Sequence, residues 1–346
     1  MIFSQLVLNW YHLNGRKNLP WQKKRTPYRI WVSEIMLQQT KVNTVIPYFE
    51  KFIKAFPTIN KLAESKLNQI LYFWSGLGYY ARAKNLYKSA KLIKKKYNGI
   101  FPDNFTEIIQ LPGIGKTTAG AILSLSFGFS FSILDGNVKR ILNRYYQINN
   151  VTLRSKIEMK LWILIQKITP IYHTRQFNQG LMDIGSSICT PNKPKCYICP
   201  ISLKCFSYND SNFLKKKINK IKLKINPKKY FFLIIKYKKF TILKKIESKK
   251  IWGDLFSFPI FKTEIEIEKW IKKNNVKIIK KEKKSSFIHS FTHFKIKIFP
   301  IFFFISEKFD LLDTKNYIWY NTEKPIYIGI PKPTEKILKK YFSKLT

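Results

Sequence analysis

The stretch LPGIGKTTAGAIL, Leu111–Leu123, carries the strongest indication of the fold. Gly113 and Gly115 form a short turn that leads into a helix of small residues. Glycine lets backbone N–H groups approach a phosphate closely, and the start of a helix supplies partial positive charge. Lys116 adds a point charge, so the hairpin is suited to hold a nucleic-acid backbone without reading bases. A tight turn between two packed helices is the alternative interpretation.

Helical patterns separated by short turns surround this hairpin over residues 1–188. Apolar residues recur at helical spacing in Phe105–Gln110 and Ile157–Ile168, which predicts an all-α domain. A lysine-rich segment ending in Asn226-Pro227 then marks a linker. Beyond it, KYFFLIIKYKKFTILKKI and HFKIKIFPIFFFIS are β-branched and aromatic, with a helical pattern at Glu264–Lys273. The sequence therefore predicts a smaller α+β domain at the C-terminal end.

The charge of the chain favours a polyanionic partner. The 346 residues carry a formal net charge of +44, and the pI is near 10.0. Because the excess is nearly all lysine beside abundant isoleucine and asparagine, part of it is also explained by an A/T-rich genome. No apolar run approaches the roughly 18–20 residues of a membrane span, and the N-terminus has the pattern of an amphipathic helix. We therefore expect a cytoplasmic protein.

Glu34 stands in an apolar helical pattern, WVSEIMLQQT at Trp31–Thr40. Thr26, followed by a proline, predicts the start of this helix. The neighbours of Glu34 three and four residues away include Ile30 and Trp31, so its carboxylate faces apolar side chains. The alternative is that Glu34 sits at the edge of the apolar stripe and reaches water. Farther along, Asp135 in ILDGNVKR is positioned to cap a helix that starts at Asn137.

All four cysteines fall within CTPNKPKCYICPISLKC, with the spacing Cys189-x6-Cys196-x2-Cys199-x5-Cys205. Clustered cysteines in a reducing compartment are expected to be metal ligands rather than disulfides. Four thiolates suit a structural zinc ion or a [4Fe–4S] cluster. Many zinc sites have two CxxC pairs, whereas this sequence has one CxxC pair with a more widely spaced cysteine on each side. The spacing leaves both possibilities open and slightly favours the iron–sulfur cluster.

Together, these motifs closely resemble the helix-hairpin-helix DNA glycosylases that hold an iron–sulfur cluster. The hairpin, the aspartate of LDGNVKR and the cysteine pattern match in order and spacing. Within that superfamily the chain is similar to the A/G-specific adenine DNA glycosylases, the MutY family, in the blocks GRKNLPW, WVSEIMLQQT, GLGYYARAKNL and FNQGLMDIGSSICT. The resemblance extends nearly end to end, because that family also has a C-terminal domain related to Nudix hydrolases.

The resemblance implies a mainly α helix-hairpin-helix glycosylase domain with a [4Fe–4S] cluster loop, followed by a Nudix-like α+β domain. The expected boundaries are 1–213 for the glycosylase domain (hairpin about 107–125, cluster loop 189–205), 214–229 for the linker and 230–346 for the lesion-recognition domain. The implied activity is monofunctional removal of adenine mispaired with 8-oxoguanine or guanine in double-stranded DNA. The enzyme is expected to be a monomer in the bacterial cytosol, associated with the nucleoid.

The resemblance also assigns residue roles. Glu34 protonates adenine, chiefly at N7; Asp135 remains ionised and stabilises the sugar cation; and Asn137 orients Asp135. The extruded nucleotide and the DNA backbone are contacted by Gln39, Thr40, Tyr79, Gly113, Gly115, Lys116 and Thr117. The adenine pocket includes Trp21, Gln22 and Glu158, and 8-oxoguanine is recognised by Phe291, Thr292 and His293. Without the resemblance, Tyr79 is interpreted as a core aromatic and the Thr-His pair as an exposed strand end.

Two other functions fit parts of the sequence. An endonuclease III-like enzyme shares the hairpin, aspartate and cluster, but cleaves the strand through a hairpin lysine at the position where this chain has Thr117. Thr117 has no amine to form a Schiff base, which favours a monofunctional glycosylase. The other alternative is a catalytically silent DNA-binding protein with a structural cluster. The magnesium-binding REx2EE signature of Nudix hydrolases is absent from the C-terminal region, so we expect that domain to read DNA rather than hydrolyse nucleotides.

Overall fold

The computed structural model describes residues 2–148, 154–210, 226–291 and 294–342. The described residues pack into two compact units. We call the first the helical unit, residues 1–64 and 85–220, and the second the sheet unit, residues 65–84 and 221–346. The sequence did not anticipate that residues 65–84 group with the C-terminal part. Residues 214–225 of the predicted linker lie outside the described residues.

Helices joined by short connections form the helical unit, as its sequence pattern predicts. They are α1 (Phe3–Asn14), α2 (Pro20–Lys23), α3 (Pro27–Leu37), α4 (Val42–Ala55), α5 (Ile59–Glu64), α7 (Ala81–Tyr97), α8 (Phe105–Ile108), α9 (Lys116–Ile122), α10 (Gly136–Tyr146), α11 (Arg154–Ile168), α12 (Thr174–Ser187) and α13 (Phe206–Asn209). The helix α6 (Leu67–Trp74) and the first turn of α7 belong to the sheet unit.

Helix α12 lies at the centre of one hydrophobic core of the helical unit. It packs against α1 and α10. Its residues Phe177, Leu181 and Ile184 are fully buried, together with Val7 of α1 and Leu142 of α10. Helix α10, which follows Asp135, is therefore held by packing along one face.

The start of α3 is the one that the sequence predicts. Pro27 is its first residue, and Oγ1 of Thr26 accepts a hydrogen bond from the Arg29 amide at 3.3 Å. This cap satisfies one of the amides that a helix start leaves without a partner. The cap and the proline thus define the residue at which α3 begins.

The predicted hairpin is formed by α8, a tight turn and α9. Gly113 has a φ of +81°, and a Cβ there would also lie 2.8 Å from Cβ of Asn85. Glycine is required at this position because other residues adopt such a φ only with strain. Gly120 allows equally close packing, since a Cβ there would lie 2.3 Å from the carbonyl oxygen of Ser132. After α9 the helix widens into one π-helical turn, Leu123–Phe127.

The sheet unit contains one mixed sheet. Its strands are β1 (Lys228–Tyr237), β2 (Phe240–Lys245), β3 (Phe256–Ser257), β4 (Ile260–Phe261), β5 (Ile278–Lys283), β6 (Phe287–Ser290), β7 (Lys295–Ile305) and β8 (Tyr317–Asn321). The main order is β3-β2-β1-β7-β5, with β4 beside β1, β6 beside β7 and β8 beside β2. Strands β1 and β7 are parallel, whereas the other pairs are antiparallel.

Both faces of this sheet are covered by helices. Alternate residues of β1 face opposite sides. Phe232 and Ile234 share a core with Ile337 of α15 (Lys332–Tyr341), and Leu233 and Ile235 share another with residues of α14 (Glu264–Lys273). The predicted helix at Glu264–Lys273 and the α+β class are confirmed. Within the described ranges, we find no helix with the length and the apolar character needed to span a membrane.

Candidate active site

Glu34 lies in the middle of α3, and its side chain is half-buried. Trp31 is completely buried, and Ile30 is buried as well. Burial, followed by the negative charge of Asp135, raises the pKa of Glu34 to about 7. Desolvation and a nearby anion both disfavour the ionised carboxylate. Glu34 is therefore able to carry a proton at neutral pH, which a carboxyl group at the solvated edge of the helix would not.

Asp135 caps α10, which begins at Gly136, one residue earlier than predicted. Its Oδ1 accepts hydrogen bonds from the amides of Asn137 at 3.0 Å and Val138 at 2.8 Å. Its Oδ2 accepts a third hydrogen bond from Nδ2 of Asn137 at 3.1 Å. Burial raises the pKa of Asp135, whereas these bonds and the charge of Arg140 oppose the increase. The carboxylate is thus supplied with donors that favour its ionised form.

Arg140 fixes the orientation of Asn137. Its Nη2 donates to Oδ1 of Asn137 at 2.8 Å, so the other end of that amide, Nδ2, points to Asp135. Gly185 makes room for this arrangement, because a Cβ there would lie 2.5 Å from Cβ of Asn137. Arg140, which the structure places in contact with Asn137, was not singled out from the sequence. Its position on α10, between Asp135 and a second arginine at 144, was the feature of the sequence that could have identified it.

Helix α9 connects the elements that carry the two acids. Oγ1 of Thr117 donates to the carbonyl of Leu134, the residue before Asp135, at 3.0 Å. On the other side, Nε2 of Gln38 in the α3 C-cap donates to Oγ1 of Thr118 at 3.5 Å. Helices α3 and α9 also pack against each other. The hairpin thus joins the Glu34 helix to the Asp135 cap, consistent with the effect of the Asp135 charge on Glu34.

The other predicted nucleotide contacts of the helical unit lie at the end of α3 and in the hairpin. Gln39 is exposed and adopts a φ of +57°, and Thr40 is half-buried beside it. In the hairpin, Gly113, Gly115 and Lys116 are exposed, whereas Thr117 is half-buried. The exposed turn presents its backbone to solvent, as a phosphate-binding turn requires.

The three predicted adenine-pocket residues differ in their environments. Trp21 is buried, and its ring packs edge-on against Phe49 with centroids 5.4 Å apart. Gln22 is buried, and its Oε1 accepts a hydrogen bond from the Leu19 amide at 3.2 Å. The Glu158 side chain is 50% exposed, and its Oε1 lies 2.7 Å from Nζ of Lys139 on α10. Glu158 is thus held beside α10 by an ion pair.

The four cysteines are not joined by disulfides, and their side chains line one cavity. The cavity, including its opening to solvent, has an empty volume of about 420 Å³ and is also lined by Ile141, Ile188 and Ile201. Burial raises the pKa of Cys199 to about 11, so a cation is needed to stabilise its thiolate at neutral pH. No group of three or more His, Cys, Asp or Glu side chains in the described part of the chain is arranged to hold a single metal ion.

Two arginines of α10 bind the cysteine loop. Nη1 of Arg144 donates to Sγ of Cys189 at 3.3 Å and to the carbonyl of Thr190 at 2.7 Å. Nε of Arg140 donates to the carbonyl of Cys189 at 2.7 Å. Arg140 therefore contacts both the cysteine loop and Asn137. One helix connects the cysteine cavity with the Asp135 carboxylate.

Tyr79 lies in the sheet unit and is 44% exposed, so its interpretation as a core residue is wrong. Its φ is +49°, in the left-handed region. The guanidinium of Arg82 lies 5.5 Å from the centroid of the Tyr79 ring, and its Nη2 donates to the carbonyl of Gly78 at 3.0 Å. Burial lowers the pKa of Arg82 to about 10. The Tyr79 turn is thus supported by a buried cation that the sequence did not single out.

Phe291 lies in an aromatic cluster of the sheet unit. Its ring stacks on Phe294 with centroids 4.3 Å apart, and lies 5.4 Å from Trp252 and 4.7 Å from His289. The other two predicted lesion contacts, Thr292 and His293, lie outside the described residues. The Phe291 ring is therefore held by packing against other aromatic rings.

Comparisons with known proteins match both the N-terminal and the C-terminal parts of the chain. A family profile described as "HhH-GPD superfamily base excision DNA repair protein" matches residues 32–167, and a profile described as "NUDIX domain" matches residues 230–340. The chain is 53% identical over 340 residues to the adenine DNA glycosylase of Buchnera aphidicola subsp. Schizaphis graminum. That alignment covers 98% of each protein.

Solved structures share the fold of the helical part. A thermostable thymine-DNA glycosylase matches with a TM-score of 0.56 and 32% identity, covering 60% of this chain and 95% of that one. An endonuclease III in a non-covalent complex with DNA matches with a TM-score of 0.52 and 20% identity, covering 60% and 98% of the two chains. The second likeness concerns the fold alone. The predicted fold class is confirmed.

Proposed function

The chain belongs to the adenine DNA glycosylase family, and from this premise we propose that it hydrolyses the N-glycosidic bond of adenine mispaired with 8-oxoguanine or guanine. The product is an abasic site in double-stranded DNA. The main support is the pair of acids: Glu34 with a pKa of about 7, and Asp135 with three hydrogen-bond donors on its carboxylate. One acid able to hold a proton and one able to remain an anion are what this hydrolysis requires.

Glu34 acts as the general acid. Neutral adenine is a poor leaving group, and a proton transferred to N7 makes it a better one. A pKa of about 7 keeps a large fraction of Glu34 protonated at physiological pH while leaving it acidic enough to donate. A positioned general acid contributes about 10²–10⁴-fold to the rate. The target adenine must leave the base stack to reach it.

Asp135 stabilises the oxocarbenium-like sugar that forms as adenine departs. Its carboxylate does this electrostatically or by transient attack at C1′, and it directs water to that carbon. The Asn137 amide holds Oδ2, and Arg140 holds Asn137. These hydrogen bonds fix the anion in place before the reaction, so little reorganisation is needed as positive charge develops. Asn137 is a positioning residue in this scheme.

Contacts to DNA are shared among several surfaces. We assign the hairpin residues Gly113, Gly115, Lys116 and Thr117 to the phosphate backbone. Gln39 and Thr40 lie beside the extruded nucleotide, and Tyr79 is placed next to the opposing base. The remaining proposed contacts are Trp21, Gln22 and Glu158 at adenine and Phe291, Thr292 and His293 at 8-oxoguanine. Gln39, Lys116 and Tyr79 are exposed, so their side chains are accessible to DNA.

The absence of an amine at position 117 supports a monofunctional reaction. Thr117 donates its hydroxyl to the Leu134 carbonyl, a structural role. The nearby Lys139 forms an ion pair with Glu158 at 2.7 Å, and its ammonium group must lose a proton before it can attack a sugar. Strand cleavage is therefore not part of the proposed main reaction.

We assign a [4Fe–4S] cluster, one per chain, to the cysteine cavity. Four thiols line it, and Arg144 donates a hydrogen bond to one of the ligand sulfurs. Cys189, Cys196, Cys199 and Cys205 would hold the cluster, which would supply covalent cross-links within the loop and take no part in base removal. The loop carries Lys193 and Lys195, which add positive charge toward DNA.

The proposed organisation keeps the boundaries predicted from sequence: a glycosylase domain at 1–213, a linker at 214–229 and a Nudix-like reading domain at 230–346. The enzyme acts as a monomer on DNA in the bacterial cytosol. Its net charge of +44 supports attraction to DNA, which is a polyanion.

Single-turnover assays on matched duplexes test the function. We expect rapid adenine release when adenine lies opposite 8-oxoguanine or guanine, and little release opposite thymine. The DNA strand should remain intact until alkali cleaves the abasic site. Efficient covalent capture by borohydride, with stoichiometric strand cleavage, would instead indicate the glycosylase/lyase. A protein that binds all three duplexes without releasing any base would indicate a silent DNA-binding protein.

A further inference from the structure

Tyr79 lies in a turn formed by residues 75–80. Residues from the C-terminal part of the sequence contact the chain near both ends of this turn. Before Tyr79, Oγ of Ser75 accepts a hydrogen bond from the amide of Ile330 at 3.1 Å. After it, Nζ of Lys84 lies 2.5 Å from Oδ2 of Asp254. All of these residues belong to the sheet unit. The turn is therefore anchored to the C-terminal part of the chain.

Asp254 is fixed in its own loop before it meets Lys84. Its backbone amide donates to the carbonyl of Ile246 at 2.8 Å, and its Oδ1 accepts a hydrogen bond from Oγ of Ser248 at 2.7 Å. Asp254 has a φ of +69°, a conformation that Asp and Asn tolerate better than most residues. Its side chain is only 15% exposed. The carboxylate is thus presented in one orientation.

The environment keeps Asp254 ionised. Burial acts to raise the pKa of its carboxyl, but the hydrogen bonds from Lys84 and Ser248 outweigh this effect and leave the pKa below its ordinary value. The Lys84 side chain is itself only 21% exposed. An ion pair shielded to this degree is screened by salt less than a surface pair.

Two separate backbone hydrogen bonds join the first turn of α7 to Tyr79 and Tyr80. Within the first turn of α7, the Lys84 amide donates to the carbonyl of Tyr80 at 3.1 Å, and the Arg82 amide donates to the carbonyl of Tyr79 at 2.9 Å. The Arg82 guanidinium lies beside the Tyr79 ring and binds the carbonyl of Gly78. Fixing Lys84 therefore restricts the turn in which Tyr79 holds its left-handed φ.

We propose that Asp254 is a positioning residue that, through Lys84, holds Tyr79 in the orientation needed beside the opposing base. The C-terminal sequence would then contribute to mispair recognition by two routes, the loop at residues 291–293 and the support of Tyr79. This inference rests on the proposed function, since it assumes that Tyr79 contacts the mispair. A role of the ion pair in stability alone is the competing explanation.

A double-mutant analysis in the full-length protein distinguishes the two explanations. Asp254→Asn preserves the shape and the tolerated backbone conformation while removing the charge. We expect it to slow single-turnover adenine release from an adenine–guanine duplex about fivefold, within the range of coupling between contacting residues. Lys84→Met, alone or combined with Asp254→Asn, should give the same loss. The matched control is Glu307→Gln, which removes the carboxylate of an exposed ion pair with Lys277 in the same unit.

The decisive comparison repeats Asp254→Asn in a Tyr79→Ala background. If Asp254 acts through Tyr79, the substitution should produce no further loss there. Affinity for a duplex with a non-hydrolysable adenine nucleoside opposite guanine gives the same comparison if release by the Tyr79→Ala protein is too slow to measure. A loss that persists without Tyr79, or no loss when Tyr79 is present, would overturn the proposal. Absence of adenine release by the unmodified protein would instead contradict the proposed function.

Discussion

The pKa of Glu34 is raised by two effects, burial within its own helix and the charge of a residue distant along the chain. The apolar pattern of α3 predicts its burial, because Ile30 and Trp31 lie on the same face of the helix. The second contribution, the charge of Asp135, comes from a residue far along the chain, and no periodicity in the sequence specifies it. Sequence reasoning therefore identified both acids by resemblance, whereas their electrostatic coupling required the fold.

The pH dependence of catalysis follows from the protonation of Glu34. Because the acid must carry a proton and its pKa is about 7, the single-turnover rate should decrease about tenfold per pH unit well above pH 7. This decrease is measured from the rates of adenine release between pH 6 and 9, with the enzyme in excess over the DNA. A rate that increases from pH 7 to pH 9 would contradict the assignment of Glu34 as the acid.

Stability should depend on the same proton. The Glu34 carboxyl titrates near its ordinary value of 4.5 in the unfolded chain and near 7 in the folded chain. Between these values the folded state binds more protons, so this contribution to the free energy of unfolding is lost as pH rises through the interval. A Glu34→Gln protein lacks this loss. Its melting temperature should therefore increase relative to the unmodified protein between pH 4.5 and pH 8, by about 2 °C or more.

Thermal denaturation of both proteins at the two pH values checks this expectation. A melting-temperature difference that is constant over the range would mean that Glu34 has the same pKa in the folded and unfolded chains.

At the scale of the element, α10 combines two roles at its start. Asp135 caps the helix and also provides the proposed anion. Asn is as good a cap as Asp and is uncharged. Asp135→Asn should therefore retain the melting temperature within a few degrees while reducing adenine release by at least about 100-fold. A helix-capping role alone would leave release nearly unchanged.

Circular dichroism melts and single-turnover assays on the Asp135→Asn protein make this measurement. Asp135→Leu is the informative control, since it removes both the cap and the charge. It should lose activity and also about 1 kcal/mol of stability. If Asp135→Asn released adenine at the rate of the unmodified protein, the anion would have to come from another residue.

Helices were predictable from sequence where a local signal exists. Thr26 and the proline after it mark the start of α3, and the glycines at 113 and 115 mark the hairpin turn. The interactions of Arg140 with Asn137 and Cys189 were not predictable, because they join elements separated along the chain. A periodic pattern records which face of a helix is buried, but not the partner of each polar side chain.

At the scale of the whole molecule, the cysteine pattern predicted one metal-binding loop, and the structure gathers the four thiols around one cavity. We expect purified protein to contain about four iron atoms per chain and to absorb visible light as iron–sulfur proteins do. Metal analysis together with the absorption spectrum measures this. If the protein instead contained one zinc ion per chain and showed no visible absorption, the cluster assignment would be wrong and the cysteines would form a zinc site.

The sequence did not predict that residues 65–84 group with the C-terminal residues. Composition predicted an α+β region after residue 230, and the sheet confirms it. The ion pair between Lys84 and Asp254 joins positions that are distant along the chain, so no local sequence pattern predicts it. Gly329 is similar, because a Cβ there would lie 2.6 Å from Cβ of Leu71, a contact visible only in the folded chain.

The central claim is that Glu34 supplies the proton that makes adenine a leaving group. Single-turnover adenine release from a duplex with adenine opposite 8-oxoguanine, by the Glu34→Gln protein, tests it most directly. Glu50→Gln, at an exposed position of α4, serves as the matched control. We predict a loss of at least about 100-fold for Glu34→Gln, with unchanged duplex binding, and less than about twofold for the control. Release by Glu34→Gln at the rate of the unmodified enzyme would contradict the account.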